Sequence, residues 1–234
     1  MTIESTNNEV IGCRNCQRLV AWREQVAREK TRRFADSEYW GKPVPGFGDP
    51  QAQLLIVGLA PAAHGANRTG RMFTGDRSGD WLYRALHKAG FASQPESVSR
   101  NDGLKLRNCY ISALCRCAPP ANKPTPEEFN NCSRFLKAEI SHFIKLWQEA
   151  AKPGAILCLG QLSQRYTLQQ LSDTGIEIPK PRPAFGHGEI TDLSAGLRLF
   201  SSYHPSQQNT FTGKLTEPMF DAVFAAIQQF ISQK

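Results

Sequence analysis

Seven cysteines stand in this chain of 234 residues, and the spacing of two of them is the first feature that could do chemistry. Cys13 and Cys16 flank two residues, a spacing shared by zinc sites, iron–sulfur sites and thiol redox motifs. A thioredoxin-like site follows a strand, and none precedes Cys13. Further ligands must come from Cys109, Cys115, Cys117, Cys132 and Cys158. Cys109 and Cys158 lie in apolar segments and read as small core residues. Cys117 opens the loop 117-CAPPANKPTP-126 and Cys132 falls in the first turns of the helix that follows, so their thiolates can meet. Four thiolates suit tetrahedral zinc or a 4Fe-4S cluster. Spacing leaves that choice open, and it leaves Cys115 as an alternative to Cys117.

A second concentration of reactive types is 58-GLAPAAHGANRTGRMFTGDRSGDWL-82. It lacks the Gly-Lys-Ser/Thr of a phosphate loop and does not match G-x-G-x-x-G. Its glycines surround an aromatic ring, Phe73, and a carboxylate, Asp76. Phe73 can stack on a planar ligand such as a base, or fold back into the core. A third segment, 204-HPSQQNTFTGKLTEPMF-220, follows an apolar run. His204, held by Pro205, is placed to donate a hydrogen bond into the same cleft, although a lone histidine is more often structural. Ser206 and the polar run after it offer phosphate contacts, with Lys214 as a nearby cation.

A scaffold has to bring these segments together, and the hydrophobic pattern supplies one. The segment 53-QLLIVGL-59 reads as a strand buried on both faces, and 109–114, 155–160 and 197–203 read as further strands. Helices are expected from Arg18 to about Arg33, from a Ser78 cap to Gly90, from Pro126 past Trp147, up to about Leu171, and from Glu217 to Ile231. The alternation predicts an α/β fold: one domain over residues 1–234, with a mostly parallel central sheet flanked by helices on both faces. Residues 1–10 are polar and expected to fray. Sites in such sheets lie beyond the carboxyl ends of the strands, which selects loops 60–79, 115–126, 161–163 and 204–213. The unusual residues fall in three of these loops.

Lysine plus arginine is 28 against 21 acids, a formal charge of +7 that attracts polyanions without proving that one binds. No stretch approaches the length of a transmembrane helix, and the N-terminus has neither the basic nor the apolar region of a secretory signal. A cytoplasmic, nucleoid-associated monomer is the expectation, in a reducing compartment where cysteines bind metal or pack in cores.

GLAPAAHGANRTGRMFTGDRSGDWL, CAPPANKPTPEEFNNC and HPSQQNTFTGKLTEP, in that order behind a CxxC, together resemble the uracil-DNA glycosylase superfamily, and within it the family-5, UDGb-type, iron–sulfur branch. Family-4 relatives have G-E-x-P-G where this chain has Gly58-Leu59-Ala60-Pro61-Ala62, and an asparagine where it has Ala113; both departures fit family 5. The resemblance implies a 4Fe-4S cluster on Cys13, Cys16, Cys117 and Cys132, structural rather than electron-carrying. It implies a monofunctional glycosylase that flips uracil, and other deaminated bases, from duplex DNA and leaves an abasic site for base excision repair. Phe73 then stacks on the base, His204 bonds uracil O2, and Asp76 positions water or stabilises the sugar cation. Asn122 reads the base edge, with His64 and Asn67 at the same cleft. Arg68, Arg71, Ser206 and Lys214 grip phosphates, helped by Lys180–Arg182 and the loop 185-FGHG-188. No lysine in these motifs suggests a Schiff base.

Two other readings compete: an iron–sulfur redox protein, and a metal-stabilised DNA-binding module without chemistry. The first lacks a flavin or nicotinamide fingerprint, and the second leaves an aromatic, a carboxylate and a histidine at strand ends without purpose. Colour separates zinc from iron. A cluster makes aerobically purified protein brown, and a colourless protein containing zinc would support the DNA-binding module.

Overall fold

A computed structural model describes residues 2–194 and 196–232. At its centre are β1 (Phe47–Gly48), β2 (Leu54–Gly58), β3 (Cys109–Ala113), β4 (Gly154–Leu159), β5 (Ile190–Asp192) and β6 (Leu197–Ser202), in the order β1-β3-β2-β4-β6-β5. The inner pairs β3–β2, β2–β4 and β4–β6 are parallel, and short antiparallel strands close both edges. Around the sheet stand α1 (Ile3–Gly12), α2 (Gln17–Glu29), α3 (Ala66–Thr69), α4 (Arg77–Lys88), α5 (Pro126–Glu149), α6 (Gln161–Asp173), α7 (Gln207–Phe211) and α8 (Glu217–Ile231). The α/β fold read from the sequence is the fold observed. Among the described residues no helix is long and apolar enough to cross a membrane.

The continuous apolar run of β2 is explained by its two covered faces. Leu54 and Ile56 pack with Leu82, Leu86, Phe220 and Phe224 of α4 and α8. Leu55 and Val57 pack on the opposite side with Leu136, Ile140 and Phe143 of α5 and Leu168 of α6. Successive strand residues point to opposite faces, so each helical layer takes alternate side chains. The chain leaves β2 towards β3 on one side and has β4 on the other, which opens a crevice at the carboxyl ends of these strands.

Two expectations are corrected. Residues 3–10 do not fray; they belong to α1. Thr2 and Ser5 cap each other reciprocally, Ile3, Thr6 and Val10 are buried, and Asn7 holds both backbone groups of Gly46. The buried positions recur at helical spacing but are too few and too weakly apolar to stand out in a polar stretch. The cap of α4 is Asp76, not Ser78: its carboxylate accepts the Gly79 amide at 3.0 Å.

One polar cluster crosses the α5 interface. Arg116 and Glu139 form an ion pair with side chains 1% and 0% exposed. Ser112 Oγ donates to Glu139 Oε2 at 2.6 Å and Tyr110 Oη to Oε1 at 3.4 Å. Truncation by Glu139→Ala strands a buried guanidinium, a cost of about 3–5 kcal/mol. Urea unfolding is expected to show this as a lower midpoint at an unchanged m-value.

Candidate active site

The loop leaving β2 builds the first wall. Phe73 lies directly over Gly58, where a Cβ would stand 2.9 Å from the ring atoms Cε2 and Cζ. Its backbone has φ +52°, the left-handed region that bulky side chains avoid, so surrounding contacts must impose it. Tyr83 Oη donates to the preceding Met72 carbonyl at 2.8 Å, and the Phe73 carbonyl fits against Gly79, where a Cβ would lie 1.9 Å away. Phe73 is half-buried, and part of its ring packs against the core. It also faces His204, the ring centroids 5.9 Å apart and tilted by 31°.

Asp76 stands at the start of α4 with one carboxylate oxygen committed to the Gly79 amide. The other oxygen lies over Gly65, where a Cβ would be 2.0 Å away. Burial pushes the Asp76 carboxyl above its ordinary value, opposed by the amides of Gly79 and Ser78 and by Arg68. Arg68 is fixed by donations to the carbonyls of His64 at 2.8 Å and Gly75 at 3.1 Å, and its guanidinium lies 3.9 Å from the centre of the Phe34 ring. His64 Nδ1 pairs with Tyr39 Oη at 3.0 Å. A cleft of about 800 Å³ runs past His64, Gly65, Arg68, Asp76, Asn122 and Gln207. Asn122 reaches it from the exposed 120–122 turn with φ +56°.

From the end of β6, His204 completes the arrangement. Burial alone pulls its imidazole down to about 4. The ring is therefore neutral at physiological pH and offers one N–H donor rather than a cation. Its carbonyl accepts Asn209 Nδ2 at 2.8 Å and the Ser206 amide at 2.7 Å, which fixes the turn. Ser206 caps α7 by accepting the Asn209 amide, an arrangement in which its own O–H can still donate. Lys214 is exposed, its ammonium 4.7 Å from the centre of the Tyr203 ring.

Two expected site residues are elsewhere. Asn67 is wholly buried and donates to the carbonyls of Arg23 and Ala63, joining α3 to α2. Arg71 is also buried, bound to both oxygens of Asp102 and to Ser97 and Thr74, so it cannot grip a phosphate. The loop 185–188 turns inward too: His187 Nδ1 accepts the Tyr203 amide and Nε2 donates to the Met219 carbonyl, which supports the strand end before His204. Arg182 is tied to the Arg165 carbonyl. The sequence reading did not single out Tyr39, Gly65 or Arg77. Arg77 lies over exposed Phe211 at 4.6 Å, and both residues border the cleft. Only Arg77 had a signal, its place beside Asp76.

The cysteines gather behind the cleft. Cys13 and Cys16 come from the turn between α1 and α2, Cys117 from the loop after β3, and Cys132 from early α5; the four line one small cavity with Arg116 and Phe135. Cys115 does not line that cavity; it is buried beside it. Burial pushes Cys16 up, and Cys117 up to about 12. Cys109 and Cys158 are buried in strands, as read. Among the described residues, no three His, Cys, Asp or Glu side chains close on a single ion position.

Arg71 gives a direct test of its reassignment. Burial would raise Asp102, but Arg71 and the amides of Leu104, Ser99 and Val98 outweigh it and hold the carboxyl well below its ordinary value. The resulting stabilisation is present at neutral pH and is lost as pH falls below the ordinary aspartate range. Arg71→Met is expected to cost about 3 kcal/mol at pH 7 and to flatten this acid dependence in urea unfolding at pH 7 and pH 3. In Lys214→Ala, stability should be unchanged and the salt dependence of DNA binding shallower.

A family model of the Uracil DNA glycosylase superfamily matches residues 45–228. The chain is 54% identical over 215 residues to a Type-5 uracil-DNA glycosylase of Mycobacterium tuberculosis, covering 91% of this chain and 75% of that protein. It is 46% identical over 220 residues to a Type-5 uracil-DNA glycosylase of Thermus thermophilus, covering 94% of each. A Type-4 uracil-DNA glycosylase of Archaeoglobus fulgidus is more distant, 28% identical over 166 residues and 70% of each chain. With the strand-end cleft, these matches establish that the chain belongs to the uracil DNA glycosylase superfamily and to its type-5 group.

Proposed function

We propose that this chain is a monofunctional DNA glycosylase that removes uracil and other deaminated bases from duplex DNA and leaves an abasic site for base excision repair. The observation that carries this reading is the approach of Phe73 and His204 from two distant loops at one end of the sheet, with Asp76, on the Phe73 loop, lining the cleft. The target nucleotide leaves the helix, and its base stacks on Phe73. As the N-glycosidic bond stretches, negative charge develops on the base and positive charge on the sugar. The neutral His204 donates its N–H to the base carbonyl, an interaction that strengthens as that oxygen becomes anionic. Asp76 faces the sugar, where it stabilises the cation and holds the water that attacks it. Asn122 reads the base edge, with His64 at the same cleft. Arg68, Ser206 and Lys214 contact phosphates, consistent with the +7 formal charge. No lysine in the three motifs suggests a Schiff base, so the reading is hydrolysis without a lyase step. The chain acts as a monomer at the nucleoid.

Cys13, Cys16, Cys117 and Cys132 would hold a 4Fe-4S cluster. The donor set fits it: four half-buried cysteines from three separate segments line one small cavity. Arg23 Nη1, donating to Cys117 Sγ at 3.0 Å, supplies a hydrogen bond suited to a thiolate. When bound, the cluster supplies a cross-link between the α1–α2 turn, the loop after β3 and α5, and so fixes the loop carrying Asn122.

The test is a labelled duplex with one U·G pair. Strand scission should follow alkali only, and Asp76→Ala and His204→Ala should each slow base release by about 10²–10³ with DNA affinity kept. Gly65→Ala, which pushes on the Asp76 carboxylate, should also slow release without weakening binding. Because His204 titrates near 4, the pH–rate profile should show no His204-dependent limb near 6.5. No abasic product from uracil or hypoxanthine would overturn the reading.

A further inference from the structure

Three of the four cavity cysteines have a side-chain donor. Arg23 Nη1 reaches Cys117 Sγ at 3.0 Å, Asn131 Nδ2 reaches Cys16 Sγ at 3.7 Å, and Arg134 Nη2 reaches Cys13 Sγ at 3.8 Å. Two buried cations lie beside these sulfurs. Arg23 is 1% exposed, bonded otherwise to the Cys13 carbonyl, and its Nε has no partner. Arg116 is 1% exposed and borders the same cavity; Glu139 and Ser112 engage only its Nη2, so Nε and Nη1 have no partner. Glu24 approaches Arg23 to 3.8 Å but is itself paired at 2.5 Å with exposed Arg14.

Unpartnered buried guanidinium N–H groups are costly; Glu139 offsets the charge of Arg116 but not its two free N–H groups, and with the weakly compensated Arg23 these call for anionic acceptors at the cavity. Four thiolates on an iron–sulfur core supply that charge, and one-electron reduction increases it. Cations and hydrogen bonds at the sulfurs favour the more negative state. We propose, on the basis of the cluster reading above, that Arg23 and Arg116 form an electropositive shell. Together with the sulfur donors Asn131 and Arg134, this shell raises the reduction potential of the cluster. The shell acts through charge and hydrogen bonds at the sulfurs, and base release does not depend on an electron step.

The experiment is direct voltammetry of the full-length, iron-loaded protein, with iron and sulfide content measured for every variant. Arg23→Met should shift the redox equilibrium towards the oxidised cluster by about tenfold, which is ~59 mV for one electron. Arg23→Lys, which keeps the charge but loses the directed hydrogen bond, should fall between Arg23→Met and wild type. Arg134→Met, at an exposed position, keeps the test open if Arg23→Met does not fold, and should shift the equilibrium by about threefold in the same direction. Wild-type potentials in fully loaded Arg23→Met or Arg134→Met protein would overturn the shell and leave the cluster reading standing. A wild-type protein that takes up no iron, or takes zinc instead, would overturn both.

Discussion

The buried pair of Arg116 and Glu139 is the constraint from which both functional loops hang. Neither charge reaches water, so the pair holds only while β3 and α5 keep their register and Ser112 and Tyr110 supply the remaining hydrogen bonds. That junction fixes where the chain leaves the sheet. Cys115 and Cys117 flank Arg116 in sequence, Asn122 follows within the same loop, and Cys132 lies two turns before Glu139 on the helix. A shift of α5 would therefore move the thiol cavity and the rim of the cleft together.

The opposite wall depends on the absence of side chains. Gly58, Gly65 and Gly79 each occupy a place where a Cβ would collide with Phe73 or Asp76. The ring and the carboxylate are thus seated by backbone surfaces, which do not change rotamer. Positive φ at Phe73 is tolerated because the surrounding loop determines it several times over. Asp76 has two tasks at once, closing the first turn of α4 through one oxygen and facing the cleft with the other. Its position is as stable as the helix it caps.

Burial sets the electrostatics of the site with opposite chemical results. It keeps the His204 imidazole uncharged at neutral pH, with one ring N–H to donate. It raises Asp76, though backbone amides and Arg68 limit the rise. Around the cavity, burial pushes the Cys16 and Cys117 thiols up, opposed by Asn131 at Cys16 and by Arg23 at Cys117.

By itself, the sequence determined the fold class, the position of most regular elements, and which loops hold Phe73, Asp76, Asn122, His204 and the cysteines. These features are local: a strand covered on both faces is apolar throughout, a buried helix face repeats every three to four residues, and turn residues mark where each ends. What the tertiary structure alone decided is which polar residues face solvent. Arg68 and Arg71 are neighbours in one basic motif, yet Arg68 borders the cleft and Arg71 is buried against Asp102. Asn67 joins two helices instead of lining the site, and Cys115 is buried in the core instead of lining the cavity. The polar segment before Cys13 folds because Gly46 and the α5 layer wait for it. Each outcome depends on a partner distant in the chain, and periodicity within a short window carries no information about such partners.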